Sequence, residues 1–104
     1  WTIGVDSDQY LTASAAEKKN MLTSMTKRVD NAVYDVIANA VAGRTVNDIL
    51  DANAGIYGRR YDLAAGGVGV SYSGGYINKY KAQIDAATKA IISGKIKVPS
   101  VPSK

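Results

Sequence analysis

Two stretches of the chain space their apolar residues as a helix does, and shorter runs between them favour extended backbone. Val29, Val33, Val36, Ile37, Ala40 and Val41 stand at i, i+4, i+7, i+8, i+11 and i+12, with Asp30, Asn31, Asp35 and Asn39 off that stripe. Gly43 follows as a stop, so the spacing predicts a helix over 29–42. Ile77, Tyr80, Ile84, Ala87 and Ile91 define a second helix, ended by Gly94. Residues 1–5 read as a short buried strand, since Thr2, Ile3 and Val5 favour extended structure, and Asp6-Ser7-Asp8-Gln9 closes it with turn formers. Residues 12–20 predict one or two helical turns, and the run 21–25 a second strand or a crossover segment. A short helix is expected over 46–52, extended segments over 61–63 and 68–71, a turn at Ser73-Gly74-Gly75, and a last strand over 96–98. Residues 99–104 form a tail.

Strands alternating with helices point to an α/β arrangement with parallel strands. In open sheets of that kind ligands sit just beyond the carboxyl ends of the strands, and Asp6 occupies such a place. The length of 104 residues fits one domain. Composition narrows the chemistry more than the fold. With no His and no Cys there is no imidazole base, no Ser-His or Cys-His nucleophile pair, no disulfide, no zinc finger and no iron–sulfur site. Thirteen basic against nine acidic residues give a net charge of +4, but the doublets Lys18-Lys19, Lys27-Arg28 and Arg59-Arg60 are scattered and no run marks a nucleic-acid-binding tail. No apolar stretch is long enough for a transmembrane helix. The opening Trp-Thr-Ile-Gly-Val-Asp lacks the features of a signal peptide and reads as the continuation of something longer.

Glycine motifs do not carry nucleotide chemistry. Counting from Gly67 and Gly69, the third glycine of a dinucleotide fingerprint falls on Tyr72, and Gly94-Lys95 fails as a phosphate loop because position 96 is Ile. Asp6-Ser7-Asp8-Gln9 offers two carboxylates and an amide that accept hydrogen bonds from ligand hydroxyls; the alternative is a strand-to-helix turn with an Asx cap. A calcium loop starting at Asp6 is excluded by Leu11 at the position that requires glycine, so no metal is expected. Ahead of the first long helix, Lys27 is either a solvated cation or a donor to ligand oxygens, and Thr26 or Asp30 is expected to cap that helix. Tyr72, Tyr76 and Tyr80 read as packing rather than as a platform for a base.

Gly4-Val5-Asp6-Ser7-Asp8-Gln9, Leu22-Thr23-Ser24-Met25-Thr26-Lys27-Arg28-Val29-Asp30, Tyr61-Asp62-Leu63 with Gly67-Val68-Gly69, and Ile91-Ile92-Ser93-Gly94-Lys95-Ile96-Lys97-Val98-Pro99 together resemble the C-terminal part of the basic membrane protein family. These are extracytoplasmic solute-binding lipoproteins of ABC transporters, including purine nucleoside receptors. The resemblance implies a type I periplasmic-binding fold, of which residues 1–104 supply mostly the C-terminal lobe plus a crossover and one helix of the other lobe. It implies that Asp6 and Lys27 contact the ribose of a nucleoside, with Asp8 and Gln9 supporting the loop. It further implies an ABC permease as partner, the missing N-terminal lobe or a swapped copy of the chain against the helix at 29–42, a lipid anchor at the cell membrane, no cofactor and no catalysis. The base-reading aromatics of the family are absent from this chain, and 43–60 is longer than the family's corresponding loop. A ligand-sensing domain of the same fold without a transport role is the alternative.

Overall fold

The computed structural model describes residues 1–51 and 58–99. Three strands, β1 (Thr2–Asp6), β2 (Met21–Lys27) and β3 (Val68–Val70), form one sheet in the order β1-β2-β3. β1 and β2 run parallel, with Gly4 opposite Ser24 and Asp6 opposite Thr26, while β3 runs antiparallel to β2 with Lys27 opposite Val68. The expectation of an α/β fold holds; that of an all-parallel sheet does not, because β3 returns directly alongside the end of β2. A parallel pair needs a long connection. Residues 7–20 provide it through a 3-10 turn at Gln9–Leu11 and a single helical turn, α1 (Ala15–Lys18). α1 starts on a capping box, Glu17 accepting the Ser14 N–H at 2.8 Å while Ser14 Oγ accepts the Glu17 N–H.

Helix α2 (Val29–Val41) follows β2, and α3 (Val46–Ile49) follows α2. α4 (Lys81–Ile92) ends at Gly94, whose φ of +75° lies in the left-handed region that favours glycine. Two expected strands are absent among the described residues: 61–63 leads into a turn ending at Gly66, and 96–98 is irregular. The sheet ends at β1 and β3, and neither segment pairs with an outer edge. The end of the helix expected over 46–52 and the tail beyond Pro99 lie outside the described residues.

α4 borders an apolar groove of about 430 Å³ lined by Met25, Val68, Val70, Ile84 and Ile91. Ile3 and Val5 share a face of β1 and stay 61% and 45% exposed, so the strand expected to be buried is not. The reason is layering: among the described residues β1 packs mainly on β2 and the 3-10 turn, and no strand pairs with its outer edge.

α2 is docked by its polar side. Asn31 donates to Gly66 O at 3.0 Å, Tyr61 Oη to Asp35 Oδ2 at 2.8 Å, and Arg44 to Asn39 Oδ1 at 3.0 Å, with Arg59 paired to Asp35 at 3.2 Å. The bond to Asp35, with burial and the carboxylate's charge adding to it, holds the Tyr61 phenol above its usual range. The apolar stripe of Val29, Val33, Val36, Ile37 and Val41 faces solvent. The expected caps are not used: Arg28 is the N-cap residue without a side-chain cap bond, and Asp30 instead chelates its guanidinium at 2.7–3.1 Å.

The segment from α2 back to β3 closes where Arg28 N–H donates to Gly67 O at 2.9 Å. Gly67 is required there, because a Cβ would meet the Tyr61 carbonyl oxygen at 2.3 Å. Gly67→Ala is therefore expected to lower stability by about 2 kcal/mol, read as a shift of the urea midpoint. An unchanged midpoint means that Tyr61 does not sit against this backbone.

Candidate functional site

The carboxyl ends of β1 and β2 lie side by side, and the register fixes what stands there. Asp6 is opposite Thr26, so the next residue of β2, Lys27, brings its Nζ to 2.7 Å from Asp6 Oδ1. The two residues that sequence reasoning singled out are thus an ion pair at the edge where open α/β sheets take ligands. Both side chains are more than half exposed, 53% for Lys27 and 69% for Asp6, so the pair itself contributes little to stability, about 0.2–1 kcal/mol. Its free carboxylate and ammonium hydrogen-bonding capacity remains available to a ligand: Asp6 accepts from hydroxyls, and Lys27 donates to oxygens.

Asp6 adopts φ +76°, the left-handed conformation, and no other non-glycine residue among those described does so. Strain of this kind is retained where the surrounding structure enforces it. Here the enforcement comes from the loop beyond. Gln9 Nε2 donates to Val5 O at 3.1 Å, turning the chain back on the strand, and Ser7 N–H donates to the same carbonyl. Gln9 N–H donates to the buried Ser24 Oγ at 3.2 Å. Gly4 makes that approach possible, since a Cβ there would lie 2.4 Å from Ser24 Oγ and 2.9 Å from Gln9 Oε1.

Asp8 faces away from the pair. Its Oδ1 accepts the Tyr10 N–H at 3.3 Å, capping the 3-10 turn, and its Oδ2 accepts the Ser73 hydroxyl. Burial pushes its pKa up, but the hydrogen bonds from Ser73, Ser71 and Tyr10 outweigh this and hold the carboxyl below its usual range. Both readings of the tetrapeptide therefore apply at different residues: Asp8 makes the Asx cap, while Asp6 presents its carboxylate outward. The largest depression nearby, about 580 Å³, includes Ser7 and Gln9 but neither Asp6 nor Lys27. The pair stands on an exposed edge of the sheet.

Sequence reasoning missed Ser24, Ser71 and Ser73, which read as ordinary strand and turn residues. Their only signal was small polar residues at positions that otherwise carry apolar side chains. The tyrosines pack as expected: Tyr76 meets Trp1 edge to face at 5.0 Å, Lys81 lies over Tyr72 at 4.8 Å, and Lys79 over Tyr80 at 5.0 Å. Among the described residues no group of three or more acidic or other ligating side chains could hold a metal ion, and no helix is long and apolar enough to cross a membrane.

The fold is that of a section of an α/β protein, with the Asp6–Lys27 ion pair at the carboxyl ends of two parallel strands. Comparison with known proteins agrees with a section. The chain is 37% identical, over 98% of its length, to a CD4+ T-cell-stimulating antigen of Listeria monocytogenes, and 36% identical over the same share to the protein of that name in Listeria innocua. It spans 28% of the length of each of these relatives. No family model matches the chain.

Two expectations follow. At φ +76° glycine is unstrained and alanine is not, so Asp6→Gly is expected to unfold at a higher denaturant concentration than Asp6→Ala, by about 1 kcal/mol. Equal midpoints would show that Asp6 does not hold this conformation. Because the folded Asp8 carboxyl is depressed, its contribution to stability is present above the ordinary carboxylate range near about 3.9 and is lost as pH falls through the folded value. Asp8→Asn is expected to lower stability at neutral pH and to flatten the acid limb below pH ~4; an acid limb identical to wild type would remove Asp8 from that role.

Proposed function

We propose that the chain is the C-terminal section of an extracytoplasmic solute-binding protein of the basic membrane protein family, which binds a nucleoside between two lobes and delivers it to an ABC permease. The observation that carries this reading is the Asp6–Lys27 pair, 2.7 Å apart at the carboxyl edge of two parallel strands. A carboxylate beside an ammonium suits a pair of neighbouring hydroxyls: the carboxylate accepts a hydrogen bond from each, and the lysine donates to their oxygens. The ribose of a nucleoside carries such a pair. A sugar lacking a hydroxyl would leave one of these groups without its partner, which is how such a site discriminates.

The bare stripe of α2 supports a second lobe. A helix whose described bonds to the chain run through Asn31, Asp35 and Asn39, with five large aliphatic residues in solvent, is half of a contact. In this reading α2 packs on the N-terminal lobe of the full polypeptide, and closure of the two lobes covers the pair and excludes water. The relatives' much greater length agrees with that arrangement. In this reading the solute-binding step itself needs neither catalysis nor a cofactor. A lipid anchor on the full polypeptide keeps the receptor at the membrane, where the permease is.

Calorimetry on the longer polypeptide with adenosine, guanosine, inosine and ribose tests the assignment. Nucleoside binding is expected, and Asp6→Ala is expected to weaken it more than tenfold while the protein stays folded. Unchanged affinity in that variant removes Asp6 from the site, and absence of nucleoside binding in the wild type overturns the ligand.

A further inference from the structure

The loop that carries Asp6 has little of its own to hold it. Asp6 leaves β1 in a left-handed conformation, and regular structure resumes only at Gln9. Its position is imposed from two places far away in sequence. One is Ser24, wholly buried in β2, whose Oγ accepts the Gln9 N–H at 3.2 Å. The other is the turn after β3. Ser71 N–H donates to Ser24 O at 2.9 Å and Thr23 Oγ1 donates to Ser71 O at 2.7 Å, so this turn is sewn to β2 at the level of Ser24. Ser71 Oγ accepts the Ser73 N–H at 3.2 Å, which aims the Ser73 hydroxyl at Asp8 Oδ2. The two segments also meet at Gly74, where a Cβ would lie 3.1 Å from the Tyr10 ring.

We propose that Ser73 is a positioning residue of the site: by its bond to Asp8 it supplies the second anchor that fixes the direction in which Asp6 presents its carboxylate to Lys27 and to a ligand. Ser7 N–H and Gln9 Nε2 tie the loop to Val5 O at the end of its own strand, and Gln9 N–H ties it to Ser24 in the neighbouring strand. None of these bonds holds the Asp8 side chain; the bond from Ser73, on the turn after β3, does. Asp8's bond to Tyr10 N–H is internal to the loop and its 3-10 turn and cannot anchor it from outside, and its bond from Ser71 comes from the same turn as Ser73 and belongs to the same anchor. Ser73 itself is exposed and lies against none of the ligand-facing atoms, so it acts through Asp8 alone. The importance of this latch for recognition rests on the solute-binding reading; its effect on the loop does not.

The test compares Ser73→Ala with Ser73→Thr, which keeps the hydroxyl. In the 104-residue chain, nuclear magnetic relaxation reads the amide order parameters of Ser7, Asp8 and Gln9. Ser73→Ala is expected to take them from the rigid range near about 0.85 to below about 0.6, with β1 and β2 amides unchanged, and Ser73→Thr to restore them. Loop amides that stay rigid in Ser73→Ala overturn the proposal. In a longer polypeptide that binds nucleoside, Ser73→Ala is expected to weaken affinity about tenfold, with Thr restoring it, and unaltered affinity there also overturns it. A wild type that binds no nucleoside overturns the ligand assignment alone, since the order parameters still decide the latch.

Discussion

The parallel pairing of β1 with β2 at Gly4 and Ser24 is the contact on which the rest of this structure depends. Ser24 is the one side chain among the described residues that is both large enough to hydrogen-bond and fully enclosed, and the space it fills is the space a side chain at position 4 would need. The absence of a Cβ on Gly4 lets the strands and the Gln9 loop close over it. Once that contact is made, the register follows, Asp6 falls opposite Thr26, and Lys27 is carried one residue past the edge of β1. A shift of one residue would point Lys27 to the other face of the sheet and separate it from Asp6. The ion pair is thus an outcome of strand register; its own attraction is too weak to set it.

α2 inverts the usual arrangement of an amphipathic helix. Hydrogen bonds of the kind made by Asn31 and Asn39 each contribute about 1 kcal/mol net, and burying one valine or isoleucine contributes about 1.5–3 kcal/mol. The side of α2 that meets the rest of the chain is therefore the side with less to gain. What holds it is geometry: Tyr61 and Arg59 converge on Asp35 from a loop whose return to β3 is set by the tight passage of Gly67 beneath Tyr61. The same loop that positions the helix prevents it from rolling its apolar stripe onto the sheet.

Much of this was legible in the chain. The long helices announced themselves by spacing, and the extent of α2 matched its stripe and its glycine stop almost to the residue, because periodicity is a local property. Asp6 and Lys27 were legible through the order of turn formers at a strand end and a resemblance across the chain. What could not be read was which side of α2 would be covered, since a stripe specifies that a face is apolar and leaves its partner unspecified. The direction of β3 was hidden for a similar reason: three residues, Val68–Val70, carry no sign of orientation. The serines behind the Asp6 loop were invisible because a hydroxyl that bonds a backbone amide through folding looks, in a sequence, like any other small polar residue.

The bond from Arg28 to the Gly67 carbonyl has a consequence for how such a protein changes over time. It continues the antiparallel ladder of β2 and β3 by one step, so the chain departs from the sheet and rejoins it at a single point. Topologically, β2 and β3 are a hairpin whose connection has grown to include α2 and α3. The register at Lys27 is set inside the ladder, so residues gained or lost within the excursion, far from its neck, leave the spacing of Asp6 and Lys27 untouched. Length variation there is free to tailor whatever the bare helix meets, while the edge that carries the ion pair stays constant.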